Sequence, residues 1–359
     1  MIPASIEKVT SGWLGEVLGA PVKGIEVTQI GQGVGLMGDI FRVGLQYESA
    51  VDGLPRSVVV KLPSSFEENR VQGISLGMFE AEVRFYNDLA PEATVGLPAV
   101  HLAEIDPGTA DFVIVMEDLC DMHMVNQHEG MSPEQAAAAV RVLASIHAVW
   151  WDRVKEDAFS WIPTMTGERI EYVDQMLLQI LPPFEEAFGE VLSDDARELF
   201  RLFSGNYLRI MKTMADRSPW TLAHQDFRVE NLMFGNPGSD DVKVIDWQGI
   251  GLGPGAYDLA YILGGSMDTE LRRTHEAALV QAYHERLVES GVSGYSFEQL
   301  WDDYGLAQCM GGLATSMFTG GSLDLSNERG RQLVVTMATR HSAAALDHDG
   351  LARIRRAVR

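Results

Sequence analysis

Cysteine is nearly missing from this 359-residue chain. Cys120 and Cys309 are the only two, too few for a disulfide framework and in keeping with a reducing compartment. No stretch comes near the roughly 18 consecutive apolar residues that a membrane-spanning helix needs. The N-terminal MIPASIEKVTSGWLGEVLG has no basic leader followed by an apolar core. Its Glu and Lys are interspersed in an amphipathic pattern, so no signal peptide is expected. Basic residues are in the minority: 28 Lys and Arg against 51 Asp and Glu leave a formal net charge of −23. That balance argues against a broad basic track for nucleic acid. The cysteines and histidines show no zinc spacing, and internal repeats and low-complexity linkers are lacking too. The expectation is a cytoplasmic protein with neither nucleic acid nor membrane as partner.

What is present is ordinary for a globular protein, with 46% hydrophobic and 22% charged residues, and the length allows two lobes with separate cores. GIEVTQI, DIFRVGLQY, RSVVVKL and DFVIVMEDL carry β-branched and aromatic residues between Gly, Pro and Asp punctuation, which predicts strands. One helix is expected among them, LGMFEAEVRFYNDLA at 76–90, where Phe79, Val83, Tyr86 and Ala90 share a face. Hairpin-length gaps point to an antiparallel sheet with a single packed helix. After Leu119 the period becomes helical. Ser132, Pro133 and Gln135 form a capping-box signature. Further helices are expected at 170–181, 194–215, 256–264, 270–290, 297–317 and from 328 onward. ENLMFGNPGSDDVKVIDW reads as a hairpin within this helical part. The fold class is therefore α+β: a small β-rich lobe at 1–118 and a larger, mainly helical lobe at 119–359.

The chemistry is concentrated in LAHQDFRVENLMFG and VIDWQ. Asp226 follows an apolar run, Asn231 opens the hairpin, and Asp246 closes its second strand. One carboxylate to accept the proton of an attacking hydroxyl, with an amide and a second carboxylate to hold Mg²⁺ on nucleotide phosphates, is what phosphoryl transfer needs. His224 would support the loop through hydrogen bonds. That reading requires a lysine on a strand of the β lobe, and Lys61 lies in VVVKLP. The following helix should supply its carboxylate partner. Glu80 and Glu82 both qualify, and Glu82 is preferred for its place beside the core position Val83. Gly33, Gly35 and Gly38 form a G-x-G-x-x-G between two expected strands. It does not open a helix, so it fails as a dinucleotide fingerprint and suits a hairpin lid over phosphates instead.

HQDFRVEN with VIDWQ, VVVKL and E-V-R-F-Y resembles the aminoglycoside phosphotransferase and choline kinase superfamily. The IDWQ ending and the E-x-x-F-Y helix are most similar to its ecdysteroid-kinase-like branch. The resemblance spans nearly the whole chain and implies a protein-kinase-like two-lobed fold with ATP- and Mg²⁺-dependent phosphorylation of a small-molecule hydroxyl. It further implies Asp226 as catalytic base, Asn231 and Asp246 as metal ligands, Lys61 and Glu82 as the phosphate-orienting pair, and adenine bound along Met116, Glu117 and Leu119. One position departs from the pattern. Gln225 stands where the family usually has Gly, and Gln would be strained there if a positive φ is required.

The acceptor is read from spacing. Only about ten residues separate Asp246 from the next expected helix, and no A-P-E follows, so there is no room for a peptide-docking segment. A small acceptor is expected, with Asp258 anchoring the helix start. Trp150, Trp151, Phe159 and Trp161 could line a pocket, although helical core is their expected role, as it is for His147. The rival readings are a nucleotide-binding pseudokinase that serves as a scaffold, favoured only by Gln225, and a metal-dependent phosphohydrolase, which would leave Lys61 and the glycine loop idle.

Overall fold

The computed structural model describes residues 2–31, 38–49, 53–154, 157–322 and 328–359. The chain forms two compact units. The first comprises Met1–Met122 with Val244–Gly249, the second His123–Lys243 with Ile250–Arg359. The sequence reading counted residues 244–249 with the second lobe. They group with the first because the Trp247 ring is buried against Phe85, with centroids 4.0 Å apart.

The first unit begins with α1 (Ser11–Leu18), whose N-terminus is capped by the Thr10 side chain. Five strands follow: β1 (Val22–Ile30), β2 (Gly38–Tyr47), β3 (Ser57–Pro63), then, after α2 (Glu67–Ser75) and α3 (Met78–Arg84), β4 (Val100–Ile105) and β5 (Phe112–Glu117). They pair antiparallel throughout in the order β1-β2-β3-β5-β4. Val58, Val60 and Leu62 join Leu14, Phe41, Val43, Val113 and Val115 in one buried cluster. Because side chains alternate along a strand, Lys61 must leave the opposite face. Of the three valines before it, only Val59 therefore shares its side. The sequence reading lacked β4 and α2. β4 mixes His101 and Glu104 into an outer strand with little apolar alternation, and α2 is mostly polar. The helix expected over 76–90 is α3 continuing into a widened π-turn at Phe85–Leu89.

The second unit starts with β6 (His123–Met124) and α4 (Pro133–Val149). The capping box forms: Ser132 Oγ accepts from the Gln135 amide at 3.2 Å, and Gln135 Oε1 accepts from the Ser132 amide at 2.9 Å. Then come α5 (Glu168–Phe188), α6 (Asp194–Phe203), α7 (Tyr207–Ala215), β7 (Trp220–Ala223), β8 (Leu232–Phe234), β9 (Val242–Val244) and β10 (Gly251–Pro254). The unit ends with α8 (Ala256–Gly265), α9 (Thr269–Glu289), α10 (Phe297–Ala307), α11 (Gly311–Ser322), α12 (Glu328–Asp347) and α13 (Gly350–Ala357). β10 pairs antiparallel with β7, and β6, β8 and β9 form a three-stranded sheet. Trp150 and Phe159 are core residues. α5 runs through Pro182 and Pro183, where the periodicity had stopped. Beyond them Phe184 and Phe188 pack on each other, and Phe184 also packs on Phe200, and that burial outweighs the lost helical hydrogen bonds. The single helix expected over 194–215 breaks at Gly205 (φ +81°), and the last one breaks before Asp349 (φ +56°). Among the described residues no helix is long and apolar enough to cross a membrane.

Candidate active site

Two groups of polar side chains are built, one in each unit. In the first, β3 presents Lys61 and α3 presents Glu82, both buried. Lys61 Nζ donates to Glu82 Oε2 at 2.6 Å and to Asp246 Oδ1 at 2.7 Å. The choice between the two glutamates is resolved by geometry: the Glu80 side chain is 63% exposed and pairs with Arg84 one turn away. Burial disfavours the Lys61 ammonium, but the carboxylates of Asp246 and Glu82 outweigh it and push its pKa above the ordinary value. Glu82 is raised, first by burial, with Lys61 opposing.

Asp246 was expected to end the second hairpin strand. β9 stops at Val244 instead, and Asp246 lies two residues on in the left-handed region, φ +67°. Trp247 follows it with its indole Nε1–H donated to Val244 O at 3.1 Å, and Gln248 Nε2 donates to Asp246 Oδ2 at 3.2 Å. Of the glycine loop, Gly33 and Gly35 lie outside the described residues. Gly38 opens β2, where a Cβ would stand 2.7 Å from Leu62 O, so this position tolerates no side chain. Met116 and Glu117 end β5 in register with Val59 and Val58. Glu117 Oε2 accepts from the Ala99 amide at 3.0 Å, and Leu119 O from the Met122 amide at 3.0 Å. Between them Asp118, which sequence reasoning missed, accepts from Arg42 Nε at 2.9 Å and Ser57 Oγ at 2.6 Å. It thereby fixes the segment proposed for adenine.

The second unit holds His224, Asp226 and Asn231 between β7 and β8. The loop hangs from Asp258, which is fully buried at the start of α8. Asp258 Oδ2 accepts from the His224 amide at 2.6 Å and Oδ1 from the Gln225 amide at 2.9 Å. Asp258 thus anchors this loop rather than merely its own helix. His147 is a satisfied core histidine, with Nδ1 2.7 Å from Tyr283 Oη and Nε2 3.2 Å from Asp258 Oδ2. His224 Nδ1 accepts from the Asp226 amide at 3.3 Å, a supporting contact within the loop. Asn231 Nδ2 donates to Asp226 O at 2.8 Å and Oδ2 at 3.0 Å, and Tyr261 Oη donates to Oδ1 at 3.0 Å. Arg228 Nε also pairs with Asp226 Oδ2 at 3.4 Å, and the Asp226 side chain remains 37% exposed.

Gln225 has φ +67°, the conformation that favours glycine. Its side chain occupies space that exists because residue 251 is glycine: a Cβ there would meet Gln225 Nε2 at 2.0 Å. Gln225 Oε1 accepts from Arg169 of α5, while Nε2 is buried without a hydrogen-bond partner among the described residues. Arg169 and Tyr261 escaped the sequence reading. For Tyr261 a signal existed, since it follows Asp258 by one helical turn and must face the same way.

Comparisons with solved structures agree with this architecture. A choline kinase from Cryptosporidium parvum Iowa II is 12% identical with a TM-score of 0.54, covering 91% of each chain. A choline/ethanolamine kinase family protein from Mesorhizobium loti is 17% identical with a TM-score of 0.52, covering 94% of each. The GDP complex of wild-type aminoglycoside 2'-phosphotransferase-IIIa is 13% identical with a TM-score of 0.54, covering 88% of this chain and 93% of that one. At these identities the likeness shows the fold, a protein-kinase-like α+β fold. A curated relative, the uncharacterized oxidoreductase dhs-27 of Caenorhabditis elegans, is 24% identical over 330 residues. The chain spans 39% of that relative's length. The family model of the ecdysteroid kinase-like family matches residues 32–292, well over half of the sequence, and the chain belongs to that family.

Proposed function

We propose that the chain is a small-molecule kinase that transfers the terminal phosphoryl group of ATP to an alcohol in the presence of Mg²⁺. The observation that carries this reading is the buried Lys61 held at once by Glu82 and Asp246. An isolated ammonium would not be kept in such a place without its carboxylates, and that pairing is what orients a lysine on nucleotide phosphates.

Lys61 binds the α- and β-phosphates and Glu82 fixes its direction. Asp226 accepts a hydrogen bond from the acceptor hydroxyl, aims its oxygen at the γ-phosphorus and takes the proton. The new phosphorus–oxygen bond forms as the bond to ADP breaks. His224, Asn231 and Tyr261 keep Asp226 in place. Mg²⁺ takes oxygen ligands and retains several waters, so one carboxylate and one amide oxygen are enough protein ligands beside phosphates. Asp246 and Asn231 fit that donor set. Asn231 gives its amide N–H₂ to Asp226, which leaves its oxygen for a cation, and bound Mg²⁺ would neutralise charge on the phosphates. The backbone of Met116, Glu117 and Leu119 would take adenine, with Gly33, Gly35 and Gly38 over the phosphates. No long segment after Asp246 could dock a peptide, which favours a small acceptor.

The test is titration of the protein with ATP and Mg²⁺, followed by incubation with a panel of hydroxylated acceptors. Binding with phosphate appearing on one acceptor supports the reading. Binding with no transfer to any acceptor would support the scaffold instead, and phosphate release without ATP binding the phosphohydrolase.

A further inference from the structure

We propose that Arg169 is a positioning residue: by holding the Gln225 side chain over Gly251, it keeps the left-handed turn from which Asp226 departs. The inference rests on the reading of Asp226 as the base of a kinase. Gln225 at φ +67° has a backbone that glycine takes freely and other L residues keep only where their surroundings over-determine it. Asp258 accepts from the Gln225 amide, but that bond is made by the backbone and would serve glycine equally. The side chain is what sets Gln225 apart, and its Oε1 accepts from Arg169 Nη2. The same nitrogen donates to Ile250 O at 3.3 Å. One guanidinium thus ties α5 both to the turn and to the residue before β10.

The bed for this contact is the GLGP of β10. Gly251 and Gly253 share a face of the strand, and both lie under side chains. A Cβ at 251 would collide with Gln225 Nε2 and crowd Arg169 Nη2, and one at 253 would collide with Met165 Sδ. The start of α5 is anchored on the same ladder. The Leu252 amide donates to Pro163 O at 2.9 Å, and Leu252 O accepts from the Met165 amide at 2.8 Å, which fixes the chain just before Arg169. β10 in turn pairs with β7, with Gly251 opposite Ala223, and the turn follows directly from there. Donor and turn are therefore built on one frame. Loss of the Arg169 contact frees the Gln225 side chain while β7 stays paired, and a glycine at 225 would need no such contact.

The test uses the full chain with ATP, Mg²⁺ and whichever hydroxylated compound of the panel accepts phosphate, and makes Arg169→Met both in the natural chain and in Gln225→Gly. In the natural chain the substitution is expected to lower kcat by roughly tenfold or more and to change the ATP Kd by less than about threefold. In Gln225→Gly it is expected to lower kcat by less than about threefold, because glycine holds the turn unaided. Equal losses in the two backgrounds would mean that Arg169 serves the fold or the acceptor directly and would overturn the proposal, as would no loss in the natural chain. Should Arg169→Met not fold, Gln225→Met keeps the bulk and removes Oε1. It is expected to turn over roughly tenfold more slowly than Gln225→Gly, and equal turnover overturns the proposal. If the natural chain phosphorylates no compound of the panel, the kinase reading falls, and hydrogen exchange of segment 222–232 decides the contact. Faster exchange caused by Arg169→Met in the natural chain alone supports it, and equal or no acceleration in the two backgrounds overturns it.

Discussion

Acid should unfold this protein partly through one histidine. His341, on α12, is 1% exposed, and three glycines make its space: a Cβ at Gly312 would stand 2.0 Å from Nδ1, one at Gly265 2.2 Å from Nε2, and one at Gly264 3.2 Å from Nδ1. Its Nε2 is buried without a hydrogen-bond partner among the described residues. Burial first, then the positive charges of Arg340 and Arg272, lower its pKa from 6.5 to about 3. The unfolded chain takes up this proton below pH 6.5, whereas the folded chain does so only near pH 3. Between those values the unfolded state binds more protons, so stability falls as pH falls, and the contribution is whole above the upper value. At about 1.4 kcal/mol per pH unit, acidification to about pH 5 costs on the order of 2 kcal/mol. The assay is urea unfolding of the natural chain and of His341→Gln at several pH values between those limits. The variant should be less stable at neutral pH but lose about 2 kcal/mol less on acidification to about pH 5. Parallel pH profiles for the two proteins would refute the assignment.

Other substitutions probe the loop and its support. Gly251→Ala should destabilise the fold by about 1–3 kcal/mol through its clash with Gln225, and Gln225→Gly should remove most of that cost. A double-mutant cycle in chemical denaturation measures the coupling, and additive effects would contradict it. Glu82→Gln takes one charged partner from Lys61, and at about 1.5–3 kcal/mol for a charge-assisted hydrogen bond transfer should slow roughly 10–100-fold in steady-state assays. Undiminished turnover would remove the pair from the mechanism. Tyr261→Phe deletes the hydroxyl on Asp226 and should lower kcat roughly tenfold with the nucleotide Kd unchanged. A shift in Kd at constant kcat would contradict its role.

The sheet and the loops were legible to different degrees. β1, β2, β3 and β5 are dense in β-branched residues, and α4 announces itself through Ser132 and Gln135, so local chemistry and tertiary packing agree there. Lys61 and Glu82 could be paired because a lone lysine among valines and a glutamate beside Val83 each break an apolar pattern. β7 and β10 could not be read, since four residues such as GLGP carry no periodicity and owe their pairing to the rest of the unit. The continuation of α5 through Pro182 and Pro183 went the other way from propensity, because the buried Phe184 and Phe188 beyond them decide it, whereas the interruption at Gly205 follows glycine's own tolerance of the left-handed backbone. The family pattern raised a left-handed backbone at Gln225 as a condition, and the position does adopt it. The same conformation at Asp246 was not anticipated, because that turn is set in contacts, such as Trp247 on Phe85, between residues more than 150 positions apart.

The most direct measurement compares the natural chain with Asp226→Asn, each given ATP, Mg²⁺ and a metabolite extract, with products read by mass spectrometry for one added phosphoryl group. The account predicts a phosphorylated alcohol from the natural chain and, in the variant, a loss of about 10²–10⁴-fold with ATP binding intact. Undiminished phosphorylation by Asp226→Asn would contradict it.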